Sequence, residues 1–133
     1  SQAPIKSTKD LCQTVSSLVP SRFENKFLAK LFQSIRIEVN NEMQALEELL
    51  CQLPDCVSQN GVVVFITYHS IEDRMVKNFF KSGNIEGNLS KDFYGKVIKP
   101  FEVLNKKPIV PSDDEISNNS RARSAKLRMA KRV

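Results

Sequence analysis

Residues 62–80 read VVVFITYHSIEDRMVKNFF. Val62 to Tyr68 is an unbroken apolar, β-branched and aromatic run that begins right after Gly61. A run without alternation predicts a strand buried on both faces, as in a parallel sheet. The run then stops on His69, Ser70, Glu72, Asp73 and Arg74. Ser70 is placed to cap a helix, with Asp73 closing a capping box. Met75, Val76, Phe79 and Phe80 follow at helical spacing. The stretch is therefore a strand–turn–helix unit with ionisable groups at the carboxyl end of the strand, where open α/β sheets bind ligands.

Upstream, Ser7 and Asp10 have the spacing of a second capping box. Leu11, Cys12, Val15, Leu18 and Val19 share one face of the helix that follows, and Pro20 ends it. From Asn25 a helical pattern runs through Phe32, Ile35, Val39, Met43, Leu46 and Leu50 to Pro54. Such a helix would be about 40 Å long, so a break near Asn40–Asn41 is a natural alternative. Downstream, KSGNIEGNLSKDFYGK holds three of the four glycines and reads as a polar surface excursion with a turn at Tyr94–Gly95. Short strands are expected within 101–110. Ser112 caps a short helix whose first residues are Asp113, Asp114 and Glu115. The last segment alternates. Ala125, Leu127 and Met129 fall on one face and Lys126 and Arg128 on the other, which reads as a strand, with helix as the alternative. The sum is an α/β chain.

At 133 residues the chain suits one modest domain. No apolar run reaches the roughly 20 residues of a membrane span, and SQAPIKSTKD lacks a signal-peptide pattern. Cys12, Cys51 and Cys56 form no CxxC pair, and His69 is the single histidine. Ordinary thiols in a reducing, cytoplasmic setting are expected, with no metal site. The net charge of +5 is uneven. From Lys96 onward ten Lys/Arg face four acids, and the first 95 residues are net −1. A concentrated basic end suggests a polyanionic partner, most simply nucleic acid, or else a solvated basic tail.

Three stretches together resemble one family. Phe32-Gln-Ser-Ile-Arg36-Ile-Glu-Val-Asn40-Asn-Glu42 is similar to its FQALRIxVNxEL helix. Tyr68-His69-Ser70-Ile71-Glu72-Asp73-Arg74 is similar to its FHSLEDR turn. Pro111-Ser112 through Arg121-Ala-Arg123-Ser-Ala-Lys126-Leu-Arg128 is similar to its PSxxEIxxNxRSRSAKLR ending. The family is that of the bacterial MraW-type methyltransferases, which use S-adenosylmethionine to modify the N4 of a cytosine in small-subunit (16S) ribosomal RNA.

The resemblance implies a class I, Rossmann-like methyltransferase sheet of which this chain holds the last three strands, near 62–68, 101–110 and 124–130. Residues 1–24 would be the end of a helical insertion, and 25–133 the carboxyl-terminal part of the methyltransferase domain. The family's glycine-rich cofactor loop has no counterpart here. No bound S-adenosylmethionine is therefore expected, and the chain alone should be silent. The small ribosomal subunit or its RNA is the implied partner, with self-association through an exposed edge of the fifth strand.

Within that frame His69 is the candidate catalytic residue. It would orient the cytosine or RNA backbone, accept a proton, or simply cap the next helix together with Ser70. Glu72, Asp73 and Arg74 are expected to form a charge network that braces the turn. Arg121, Arg123, Lys126 and Arg128 are candidates for RNA phosphate contacts, with pairing to the acidic helices as the alternative. Arg36 and Asn40 either reach the cleft or act as polar bracing. A non-enzymatic RNA-binding module and a packing fragment that only dimerises are the competing functions.

Overall fold

The computed structural model describes residues 4–133; the first three residues of the 1–24 segment lie outside the described residues. The chain divides into two compact units, Ser1–Glu42 and Met43–Val133.

The first unit is helical. Helix α1 spans Thr8–Ser16 and α2 spans Ser21–Val39. The expected capping box opens α1: Ser7 Oγ accepts from the Asp10 amide at 3.2 Å, and Asp10 Oδ2 accepts from the Ser7 amide at 3.0 Å. The Lys6 amide, then the Ser7 hydroxyl, hold the Asp10 carboxyl below its usual range. The second helix begins at Ser21, four residues before the expected start, because Pro20 supplies a fixed φ at its cap. It ends where the break was anticipated, with Asn41 in the left-handed region at φ 51°. Asparagine tolerates that conformation better than most residues. Arg36 Nε and Nη2 grip Glu42 at 2.8 and 3.1 Å, and Asn40 Nδ2 adds a bond of 3.3 Å. Arg36 and Asn40 thus act as polar bracing across the break.

The second unit contains α3 (Glu42–Cys56, beginning at the unit border), β1 (Val62–Thr67), α4 (Ser70–Ser82), β2 (Phe101–Val103), α5 (Asp113–Asn118), a 3-10 turn (Ser120–Ser124) and β3 (Lys126–Arg132). The third helix does not stop at Pro54 as expected; it carries the proline in its last turn and ends at Cys56. The sheet order is β1-β3-β2, and β3 is antiparallel to both neighbours. The two outer strands therefore run parallel, joined through α4, while the strand between them runs the other way. A wholly parallel sheet is not what forms.

The register places Val63, Phe65 and Thr67 opposite Ala130, Arg128 and Lys126 on one face. That face meets α4. Leu50, Leu53, Val76, Phe79, Phe80, Phe101 and Ala130 make the core. Phe80 sits at its centre, with ring centroids 5.8 Å from both Phe65 and Phe101. The other face carries Val62, Val64 and Ile66, all exposed. The expectation that β1 is buried on both faces is corrected: one face is covered, and the strand alternates in burial although not in sequence. The 101–110 region contributes β2 and a single further bridge, Ile109 to Leu127. The glycine-rich excursion behaves as read. Gly83 ends α4 at φ 81°, where an added Cβ would sit 3.0 Å from the Pro100 ring, and Gly95 closes the turn after Tyr94 at the same φ. Among the described residues no helix is long and apolar enough to cross a membrane.

Candidate functional site

The turn after β1 is capped one residue earlier than the sequence suggested. His69, not Ser70, is the N-cap of α4, and Glu72, not Asp73, closes the box. His69 Nδ1 accepts from the Glu72 amide at 3.4 Å. Glu72 Oε2 accepts from the amides of Tyr68 and His69 at 3.0 and 3.3 Å. Because Nδ1 is an acceptor, the neutral ring carries its proton on Nε2. That nitrogen lies 3.1 Å from Glu72 Oε1 but out of line for a hydrogen bond, and it is buried without a partner.

The one-residue shift turns Asp73 inward. It is 8% exposed and takes a two-pronged grip from Arg128, Nε to Oδ1 at 2.6 Å and Nη2 to Oδ2 at 3.1 Å. Lys126 Nζ adds a contact of 3.3 Å. Burial would push the Asp73 carboxyl up, but the hydrogen bonds and charges of Arg128 and Lys126 outweigh it and hold the carboxyl below its usual range. The brace joins the first turn of α4 to the central strand, 53 and 55 residues apart in sequence. It replaces the expected local network. Asp73 pairs with β3, Glu72 with the His69 turn, and Arg74 is exposed and joins neither.

The candidate RNA contacts are therefore divided. Arg121 and Arg123 stand exposed on the 3-10 turn, either side of the buried Ala122, in no ion pair among the described residues. Lys126 is partly exposed and paired with Asp73. Arg128 is 6% exposed. Lys126 and Arg128 share one face of β3, as the alternation indicates, and both pair with an acid, Asp73 of α4; Leu127 and Met129 on the other face are half-buried. The basic face of β3 is the one covered by α4, because Asp73 receives its charge there. Arg132 is committed as well, to the carbonyls of Pro54 and Pro100 at 3.3 and 2.9 Å.

Sequence reasoning missed Asn105. After Val103 the Leu104 amide still donates to the Met129 carbonyl at 3.0 Å, and the Asn105 side chain then continues the bonding to β3. Its Oδ1 accepts from the Met129 amide at 2.6 Å, and its Nδ2 donates to the Leu127 carbonyl at 3.0 Å. Beside it opens a cavity of about 550 Å³, walled partly by Lys77 and Lys81 of α4. The i, i+4 spacing of those lysines was the available signal.

An α/β unit with a capped, polar strand end and a basic, open flank is the framework of this molecule. The chain belongs to the MraW methylase family, whose sequence model matches residues 1–133. Among similar proteins, the ribosomal RNA small subunit methyltransferase H of Parabacteroides distasonis is 48% identical over 129 residues, covering 97% of this chain and 42% of that protein. Those of Amoebophilus asiaticus and Flavobacterium johnsoniae are 49% and 46% identical, each covering 98% of this chain and 42% and 43% of their own lengths. The chain thus spans less than half the length of these relatives.

Proposed function

We propose that the chain is the carboxyl-terminal part of an S-adenosylmethionine-dependent methyltransferase that acts, in the cytoplasm, on the N4 of a cytosine in 16S ribosomal RNA. The observation that carries this is the match of nearly the whole chain, at close to half identity, to proteins named as ribosomal RNA small subunit methyltransferases. Residues 1–24 are then the end of a helical insertion. The three strands are the last of a class I sheet, with the seventh between the fifth and sixth.

The described residues do not fit the cofactor. A nucleotide-like ligand at a strand-to-helix turn needs free backbone amides and room for close approach. At the turn after β1 the Tyr68, His69 and Glu72 amides are already bonded within the cap. None of the four glycines lies there. The cofactor is accordingly assigned to residues outside this chain, and the chain alone is silent.

What the chain contributes is the substrate side. Methyl transfer to an exocyclic amine depends on holding that amine in line, and positioning supplies much of the rate. His69 stands at the carboxyl end of β1, where it caps α4 and its Nε2 is buried beside Glu72 Oε1; its part in the reaction is then to hold the turn that faces the substrate. Arg121 and Arg123 are free to hold phosphate. The reading is tested by titrating the chain calorimetrically with S-adenosylmethionine and assaying methyl transfer to small-subunit RNA. No saturable heat and no transfer are expected from the chain alone, with transfer appearing when the missing part of a relative is supplied. Methylation by the chain alone refutes the division of labour.

A further inference from the structure

Asp73, Lys77 and Lys81 recur at i, i+4 and i+8 along α4 and form one stripe. Asp73 is taken by Arg128, and the two lysines continue along the wall of the 550 Å³ cleft. Lys99 and Lys106, before and after β2, stand on the other side, with Phe80 and Val103 as the apolar floor. None of these four lysines is in an ion pair among the described residues. Glu102 is the one acid among the lining residues.

Arg128 also lines the cleft. Its Nε and Nη2 are spent on Asp73, but Nη1 donates to no protein acceptor among the described residues and is not sealed from solvent. A guanidinium that is nine-tenths buried and anchored by a carboxylate is a fixed donor that gives up little side-chain freedom on binding.

We propose that the cleft between α4 and the end of β2 is a binding site for the phosphodiester backbone of RNA. Arg128 Nη1 is the oriented donor, and Lys77, Lys81, Lys99 and Lys106 supply the surrounding charge. The proposal rests on the reading of the chain as part of an RNA-modifying enzyme and adds a contact surface beyond Arg121 and Arg123.

The test uses the whole 133-residue chain and a fluorescein-labelled single-stranded RNA, followed by anisotropy across a salt series. Substituting Lys77→Gln, Lys81→Gln and Lys106→Gln together is expected to weaken binding at least about tenfold near 50 mM salt and to flatten the log–log salt slope by about 2. All three side chains are exposed, and an unchanged melting curve verifies the fold. RNA-induced amide shifts in the unmutated chain should include Lys77, Lys81 and Asn105. Unchanged RNA affinity in the triple variant overturns the cleft but leaves the RNA reading standing. Absence of RNA binding by the unmutated chain overturns both. Shifts at these amides with inorganic phosphate but not with RNA overturn the RNA assignment in favour of a small-anion site.

Discussion

Replacing Asp73 by alanine should be among the most damaging single changes outside the aromatic core. The substitution leaves the Arg128 guanidinium 6% exposed with no carboxylate. Removing one partner of a buried pair typically costs about 3–5 kcal/mol. The open Nη1 lets some water reach the group, so the lower end, about 3 kcal/mol, applies here. For a chain of this size that is on the order of a 12 °C fall in melting temperature. Urea unfolding at pH 7 measures it directly.

Acid supplies a second axis. The folded Asp73 carboxyl lies below its ordinary value of 3.8, so its stabilising effect is fully present above that value and fades as pH falls through the folded pKa. The gap between the unmutated chain and Asp73→Ala should therefore narrow below about pH 4. Adding Arg128→Met to Asp73→Ala removes the stranded charge and should recover most of the loss. A cost below about 1 kcal/mol at pH 7, or no recovery in the double variant, would refute the reasoning.

Phe80, 1% exposed at the meeting point of α4, β1 and β2, should lose about 3–5 kcal/mol on truncation to alanine, read by the same denaturation assay. Val64→Lys, on the uncovered face where Val64 is 52% exposed, should change stability by no more than about 0.5 kcal/mol. Among the described residues the outer edge of β1 is unpaired, and an apolar edge of that kind can pair with a second copy. Sedimentation in the micromolar range is thus expected to show self-association that Val64→Lys weakens, and a monomer throughout refutes it.

Much of the architecture was legible because local signals agreed with one another. Ser7 with Asp10, Ser112 with its acids, Gly95 after Tyr94 and the Asn40–Asn41 break each declare themselves through backbone chemistry that acts within a few residues. The turn after β1 was harder. Both His69–Glu72 and Ser70–Asp73 have capping spacing, and the choice between them is made by Arg128 and Lys126, more than 50 residues away. Local propensity favours serine as a cap. The buried ion pair that needs Asp73 inside decides for histidine.

The last strand shows the same limit from the other side. Its alternation was visible, but period alone says which residues share a face, not which face is inside. Leu127 and Met129 argue for their own face as the interior but are only half-buried there, because that face is continuous with the exposed Val62, Val64 and Ile66 while α4 covers the other. Arg128 reaches the interior because an acid is waiting for it there. In this unit α4 takes the face that carries Arg128 and Lys126, and the face of Val62, Val64 and Ile66, with Lys131 at its end, stays exposed. Val64→Lys tests that face without touching the brace, and Asp73→Ala tests the brace without touching that face.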